Sequence, residues 1–278
     1  MSARGRILRR AGLTLSLAVF VFTAIGPLVW LLLSSFLEQQ ALTSVPPDLS
    51  PGSFTIDNYR TVFASAAQLG RGILNSTIIA CLTTALAVLL GAPCAYALAR
   101  LSIPRANVLL LMILAAQMFP AIVIVIPLFI AASKMGLIDT RLALILVYLS
   151  FNLPVVIWVL RGFFAGIPEG LERAARIDGA GITETFRSII LPISLPPLFA
   201  AAVFAFIEAW NEFFLALIMT RQQTQTVPLV ISAFAGQYQT VFGQMMAAAA
   251  IAVLPVIVLA VLLRHHILRG FADGMLKG

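Results

Sequence analysis

Apolar residues run along this chain in long unbroken blocks, with none of the short alternation that marks a water-facing element. A helix crossing a bilayer needs about 20 mainly apolar residues, and six stretches reach that length: 11–37, 72–99, 106–132, 142–164, 197–220 and 242–263. The pattern predicts an all-α, polytopic membrane protein with six transmembrane helices. It divides the chain into an N-tail (1–10), a first transmembrane anchor (11–37), an external loop (38–71), a five-helix core (72–264) and a C-tail (265–278). The core is interrupted by one polar segment, 165–196, in which six charged residues fall within the sixteen positions from Glu172 to Arg187. The first stretch follows "RGRILRR" and resembles a signal peptide, but its apolar core is long and no small-residue cleavage site follows, so it reads as a retained anchor.

Composition sharpens this picture. The chain is 61% hydrophobic and 10% charged, with a mean hydropathy of +1.03. Soluble domains carry roughly a quarter charged residues, so a water-facing surface cannot be built from this chain. The net charge of +7 gathers at the ends of the apolar runs and forms no patch interleaved with aromatics, which argues against nucleic acid. With six spans both termini share a side. That side holds thirteen basic residues: Arg4, Arg6, Arg9 and Arg10, then Arg100 and Arg105, the arginines from 161 to 187, and Arg264, Arg269 and Lys277. The other side holds five, namely Arg60, Arg71, Lys134, Arg141 and Arg221. The positive-inside rule places the first set in the cytoplasm, and the polar segment with it. His265 and His266 add to the basic tail. Cys81 and Cys94 lie thirteen residues apart on one predicted helix and cannot bridge, and no metal-ligand spacing occurs.

The outer connections differ. Residues 38–71 are rich in turn formers ("VPPDLSPG"), with a short element around 56–63. The last outer loop, "RQQTQTVPLVISAFAGQYQT", is polar and uncharged at its start. It suits contact with a polar ligand or partner and suits a solvated linker equally.

The polar segment reads as two short helices outside the membrane. Pro168 fits a first helical position, Glu169 and Glu172 fit the first turn, and Glu172 with Arg176 forms a favourable i, i+4 pair. Leu171, Ala174 and Ala175 share a face. Gly179 supplies a left-handed stop, Thr183 is a candidate N-cap for the second helix, and Phe186, Ile189 and Ile190 line one side of that helix. Lipid cannot cover such a segment, and it is too short for a core of its own, so docking to a soluble partner is favoured over a passive loop.

Several spans carry polar residues, which default to a functional hypothesis. Glu208 and Glu212 are four apart in the fifth span, with Asn211 beside them. Asn75 in the second span, Gln117 in the third and Asn152 in the fourth are further candidates for a translocation pathway. Interhelical hydrogen bonding is the competing reading. Pro120 and Pro127 are expected to bend the third span.

The order Ala174, Ala175, Gly179, Ile189, Leu191, Pro192, with these intervals, resembles the cytoplasmic-loop signature of the inner-membrane permease subunits of ABC importers. "IPEGLERAARIDGAG", "WNEFFLAL" and the terminal "GMLKG" resemble the carbohydrate branch, the subunits like the smaller permease of the maltose importer. The resemblance covers essentially the whole chain and implies a MetI-like type I importer permease fold. It further implies a second homologous permease subunit, an ATPase dimer that binds the ATP and Mg, an extracytoplasmic solute-binding protein, and a sugar or oligosaccharide substrate. This chain would be non-catalytic, with no cofactor of its own, in a bacterial inner membrane. ATPase docking would fall to Leu171, Glu172, Arg173, Ala174, Ala175, Asp178, Gly179, Ile189, Leu191 and Pro192. The family's acid before the paired alanines is Arg173 here, with Glu172 one place earlier, and either could make the main ATPase contact. The chain lacks a Gly-x4-Gly-Lys-Ser/Thr loop. An ion-coupled secondary transporter using Glu208 and Glu212 is the alternative; it would need no docking segment.

Overall fold

The computed structural model describes residues 3–235 and 241–275, with side chains described for 12–65, 67–235 and 241–262. The side chains of Arg4, Arg6, Arg9, Arg10, Arg264, His265, His266 and Arg269 therefore lie outside the described set, as do Lys277 and positions 236–240. The chain is all-helical. Among the described residues the only β-type pairing is an isolated bridge between Leu37 and Phe54. Membrane-embedded backbone must satisfy its own hydrogen bonds, and helices do this locally.

The helices of six residues or more are α1 (Ala3–Ser35), α2 (Asp57–Ala64), α3 (Ala66–Arg100), α4 (Ala106–Ala115), α5 (Ala121–Lys134), α6 (Arg141–Ala165), α7 (Glu169–Ile177), α8 (Ile182–Ile193), α9 (Leu195–Asn211), α10 (Phe214–Met219), α11 (Val227–Ser232) and α12 (Phe242–Met275). Four helices are long and apolar enough to cross a membrane. The bent pairs α4 with α5 and α8 with α9 raise the number to six if each counts as one span.

Two spans depart from expectation. The third is two helices at 89° and not one bent rod. Pro120 has no N–H to continue the ladder, and its ring pushes Phe119 into an extended conformation (φ −74°, ψ 124°). Pro127 lies within α5 without ending it. The fifth span, read as continuous over 197–220, is broken after Asn211, where Glu212 is extended (φ −67°, ψ 123°) before α10 begins. Hydropathy averaged over a membrane-length window does not register such breaks, because the few polar residues there, Gln117, Asn211 and Glu212 among them, are outweighed by apolar neighbours.

The chain forms two compact units, Met1–Leu69 with Val230–Leu254, and Gly70–Leu229 with Pro255–Gly278. In the first, Asn58 donates to the carbonyls of Ser35 (3.0 Å) and Leu37 (2.8 Å), and the Tyr59 hydroxyl meets Ser35 Oγ at 2.8 Å. These bonds tie α2 to the end of α1. The second unit is built on α3, α6, α8 and α9, whose shared core includes Tyr96, Leu160, Phe164, Ile190, Leu198 and Ala201. Gly91 lets α3 approach α6 closely, since a Cβ there would lie 2.8 Å from Val156 Cγ1. Cys81 is exposed and Cys94 half-buried, and neither is bridged.

Candidate functional site

Three features of the second unit bear on function. The first is the polar segment. α7 begins at Glu169 with Pro168 as its N-cap, one residue later than the sequence suggested. Asp178 caps the other end and Gly179 follows at φ +86°. Gly179 N–H donates to Arg176 O (3.2 Å) and Ala180 N–H to Ala175 O (2.9 Å), the paired bonds of a Schellman stop. The next helix is capped by Gly181, not Thr183. Gly181 is extended (φ −74°, ψ 169°) and no side chain bonds to the helix start. Within α8, Phe186–Ile190 forms a π-helical turn, and Ser194 closes the helix by donating to Ile190 O at 2.6 Å.

The face expected to gather Leu171, Ala174 and Ala175 is divided. Ala175 is buried against the core, whereas Leu171 and Ala174 are exposed. The expected Glu172–Arg176 side-chain pair also does not form. Arg176 Nε donates to the Glu172 carbonyl at 3.3 Å, and the Glu172 carboxylate instead accepts from Arg100 Nε at 2.9 Å. Arg173 pairs with Glu169 at 3.0 Å on the exposed side. Arg173 and Asp178 are thus on the open surface and Glu172 is not. Ile177 is 86% exposed and Ile182 60% exposed, flanking the Gly179 turn. Ile189 and Leu191 are partly buried against the core, Ile190 fully, and Pro192 is exposed. Sequence reasoning passed over Ile177 and Ile182. Apolar residues bracketing "DGAG" in a charged stretch were the available signal.

The second feature is a cavity of about 320 Å3 where both span breaks meet. Gln117 and Ala121 come from the α4/α5 break, and Glu208, Glu212 and Leu215 from the α9/α10 break. Tyr148, Phe151 and Asn152 come from α6. Gln117 Nε2 donates to Phe151 O at 2.6 Å, and Asn152 donates to Tyr148 O at 3.0 Å. Glu212 accepts from the backbone N–H groups of Leu215 (2.8 Å) and Ala216 (3.1 Å), capping α10. The Tyr148 hydroxyl is buried beside the Glu212 carboxylate. Glu208 is exposed and lines the cavity. Asn211 is exposed but does not line it, and Asn75 lies elsewhere.

Asn75 belongs to the third feature, a clasp at the far end of α3. Its side chain donates to the carbonyls of Gln223 (2.9 Å) and Gln225 (3.1 Å) and accepts from Arg141 Nε (2.9 Å). Ser76 Oγ accepts from Val227 N–H at 2.9 Å. Asp139, at φ +60°, holds the same loop. Its carboxylate accepts from the backbone N–H groups of Arg221, Gln222, Gln223 and Thr224 and from the Thr224 hydroxyl, all within 3.2 Å. Partial burial pushes the Asp139 carboxyl up, but the donors of Arg221, Gln223 and Thr224 outweigh it and hold it well below the usual carboxylate range. A depressed value means the carboxylate stabilises the clasp above the ordinary carboxylate range and loses that effect only as pH falls through the depressed value. Protection of the Arg221–Thr224 amides should therefore be flat from pH 8 to pH 5. Asp139→Asn has one acceptor oxygen in place of two, and should speed their hydrogen exchange about tenfold, taking about 1.5 kcal/mol for a lost bond to a charged acceptor.

Among the described residues no group of three His, Cys, Asp or Glu side chains could hold a metal.

Residues 87–273 match the family described as "Binding-protein-dependent transport system inner membrane component". The trehalose transport system permease protein SugB of Mycobacterium tuberculosis is 38% identical over 258 residues, 92% of this chain and 93% of that protein. The trehalose/maltose transport system permease protein MalG of Thermococcus litoralis is 34% identical over 99% of both chains. The fold is shared, at a TM-score of 0.75 and 21% identity, with a chain from the crystal structure of a bacterial ABC transporter involved in import of the acidic polysaccharide alginate. That match covers 96% of this chain and 99% of the other.

Proposed function

The chain belongs to the binding-protein-dependent transport system inner membrane component family, and from that premise we propose that it forms half of the translocation pathway for a sugar or oligosaccharide. It is a permease subunit of such an importer, a multi-pass membrane protein. In this reading a second homologous permease completes the pathway, an ATPase dimer binds ATP and Mg and performs the hydrolysis, and an extracytoplasmic binding protein delivers the solute. Residues 11–37 anchor the subunit, 38–71 lie outside, 72–264 form the core, and the tails 1–10 and 265–278 face the cytoplasm.

The observation that carries the coupling half of this reading is the exposure of Ile177, Ile182 and Leu171 around the Gly179 turn. These side chains lie on a segment too polar to enter lipid, so their apolar surface stays wet until a soluble partner covers it. The ATPase is that partner, and Arg173 is the charged group best placed to meet it.

The pathway half rests on the cavity. Carboxylate, amide and phenol groups lining one cavity together with Phe151 and Phe204 suit a hydroxyl-rich solute, and interrupted helices at membrane depth are tolerated where they line a polar cavity. The trehalose and trehalose/maltose transport systems that the names of SugB and MalG state support the substrate class. An ion-coupled carrier would use the Glu208 and Glu212 carboxylates to hold its ion, and that of Glu212 is engaged by two backbone N–H groups.

The test is uptake by proteoliposomes holding the complete complex, with labelled trehalose, maltose and longer glucosides offered through the binding protein. Uptake should require ATP inside the ATPase compartment. Glu208→Gln should lower it about tenfold by weakening a hydrogen bond to a charged group. Uptake driven by a proton gradient without the ATPase would contradict the reading.

A further inference from the structure

Three ion pairs occur among the described residues, and two of them are local. Arg60–Asp57 and Arg173–Glu169 join residues three and four apart on one helix, and their side chains are 67–70% exposed. Such pairs contribute little. The third joins Arg100, the last residue of α3, to Glu172 on α7, across 72 positions of sequence, with side chains only 8% and 12% exposed. A cation at a helix C-terminus is favourable by itself, and at a membrane boundary it could simply reach water. Here it is turned away from water onto the docking helix, and its Nη2 is buried without a partner. Burying a charge pair gains little stability over apolar side chains of similar size, so stability does not account for the arrangement.

What the pair does provide is a directional link. α7 also turns buried Ala175 inward, and Tyr96 of α3 lies beside Glu172 as Arg100 does, while the second helix of the segment is seated by Phe186 against Tyr96 (ring centroids 4.9 Å). Both attachments lead to the same end of α3. From Arg100 that helix runs without interruption to Asn75 and Ser76, a distance of about 37 Å at 1.5 Å per residue. There it holds the loop 221–227 through the clasp already described. One helix therefore has a polar latch at each end, the inner on the docking helix and the outer on the external loop.

We infer that Arg100 is a positioning residue for coupling: through Glu172 it makes α3 move with the docking helix and carry that movement to the external loop. The inference rests on the ATPase-docking reading of the segment. A pull or push on α7 would slide along the packed apolar surfaces if only methyl groups met there. A buried, hydrogen-bonded charge pair resists such sliding, because separation leaves two charges unpaired in a dry site.

The experiment uses the complete complex in nanodiscs, with Cys81 and Cys94 replaced by alanine and Gln222→Cys as the reporter. The reporter's labelling rate by a membrane-impermeant maleimide is measured with and without ADP·vanadate trapping of the ATPase. The parent should show a severalfold nucleotide-dependent change in rate. Arg100→Met/Glu172→Leu, which keeps volume and removes the charges, should retain the ATPase on co-purification yet lose that change. Arg100→Lys should keep at least half of it, and the exchange Arg100→Glu/Glu172→Arg should restore it. A parent without a nucleotide response, or an apolar double variant that responds like the parent, would overturn the inference. So would loss of the ATPase from the apolar variant, because the pair would then serve docking itself. Failure of the docking reading looks different: Ile177→Glu would leave both the bound ATPase and the reporter response intact.

Discussion

Gly179→Val should abolish most solute transport while the subunit still inserts and accumulates in the membrane. Gly179 stands at φ +86°, the left-handed position that ends α7, and a Cβ built there meets nothing within 4 Å. The cost of a side chain is therefore conformational and not a clash. A β-branched residue held in that region costs on the order of 1–3 kcal/mol, which converts to roughly a 5- to 150-fold shift against the native turn. The chain would escape the strain by continuing the helix, losing the bonds from Gly179 to Arg176 and from Ala180 to Ala175. Ile177 and Ile182 would then no longer flank a single turn. A graded series follows from the mechanism: Asn tolerates the left-handed region best and should lose least, Ala should be intermediate, and Val worst. Transport assayed against membrane abundance for the three variants checks the order. Equal activity of Gly179→Val and the parent would mean that the turn is not used.

Ile177→Glu should release the ATPase. An isoleucine that is 86% exposed and becomes covered on docking contributes about 1.5–3 kcal/mol of apolar burial. A carboxylate in its place loses that gain and adds a desolvation penalty, so docking should weaken by about a hundredfold or more. The fold should be indifferent, since the side chain touches little of its own chain, and this separates the variant from core substitutions. Stoichiometry of the ATPase after detergent purification is the direct measure.

The four membrane-length helices, six with the bent pairs, were legible because lipid imposes a length of apolar sequence that few other environments demand. The Gly179 stop was legible for a related reason: it depends on one residue and the four before it. Contacts that join distant parts of the chain were not. Nothing local in "YALAR" and "GLERAAR" says that Arg100 and Glu172 meet, and the nearer Arg176 was the natural partner for the acid. The capping rule favoured the hydroxyl of Thr183, yet Gly181 already offered an extended residue at the start of α8. The single span read over 106–132 became two helices because proline rules predict a bend without its size. That Glu212 also caps α10 was not legible, because neither proline nor glycine marks a helix break in "WNEFFLAL". Only the fold shows that Gln117, Asn152 and Glu208 share a cavity that Asn75 does not reach.

The central claim is that a soluble ATPase sits on the turn between α7 and α8. A photo-crosslinking amino acid in place of Ile177, activated in intact cells, tests it most directly. The account predicts one dominant adduct, between this subunit and the ATPase, that disappears in a Gly179→Val background. Adducts confined to lipid or to the permease subunits, with the complex demonstrably assembled, would contradict it.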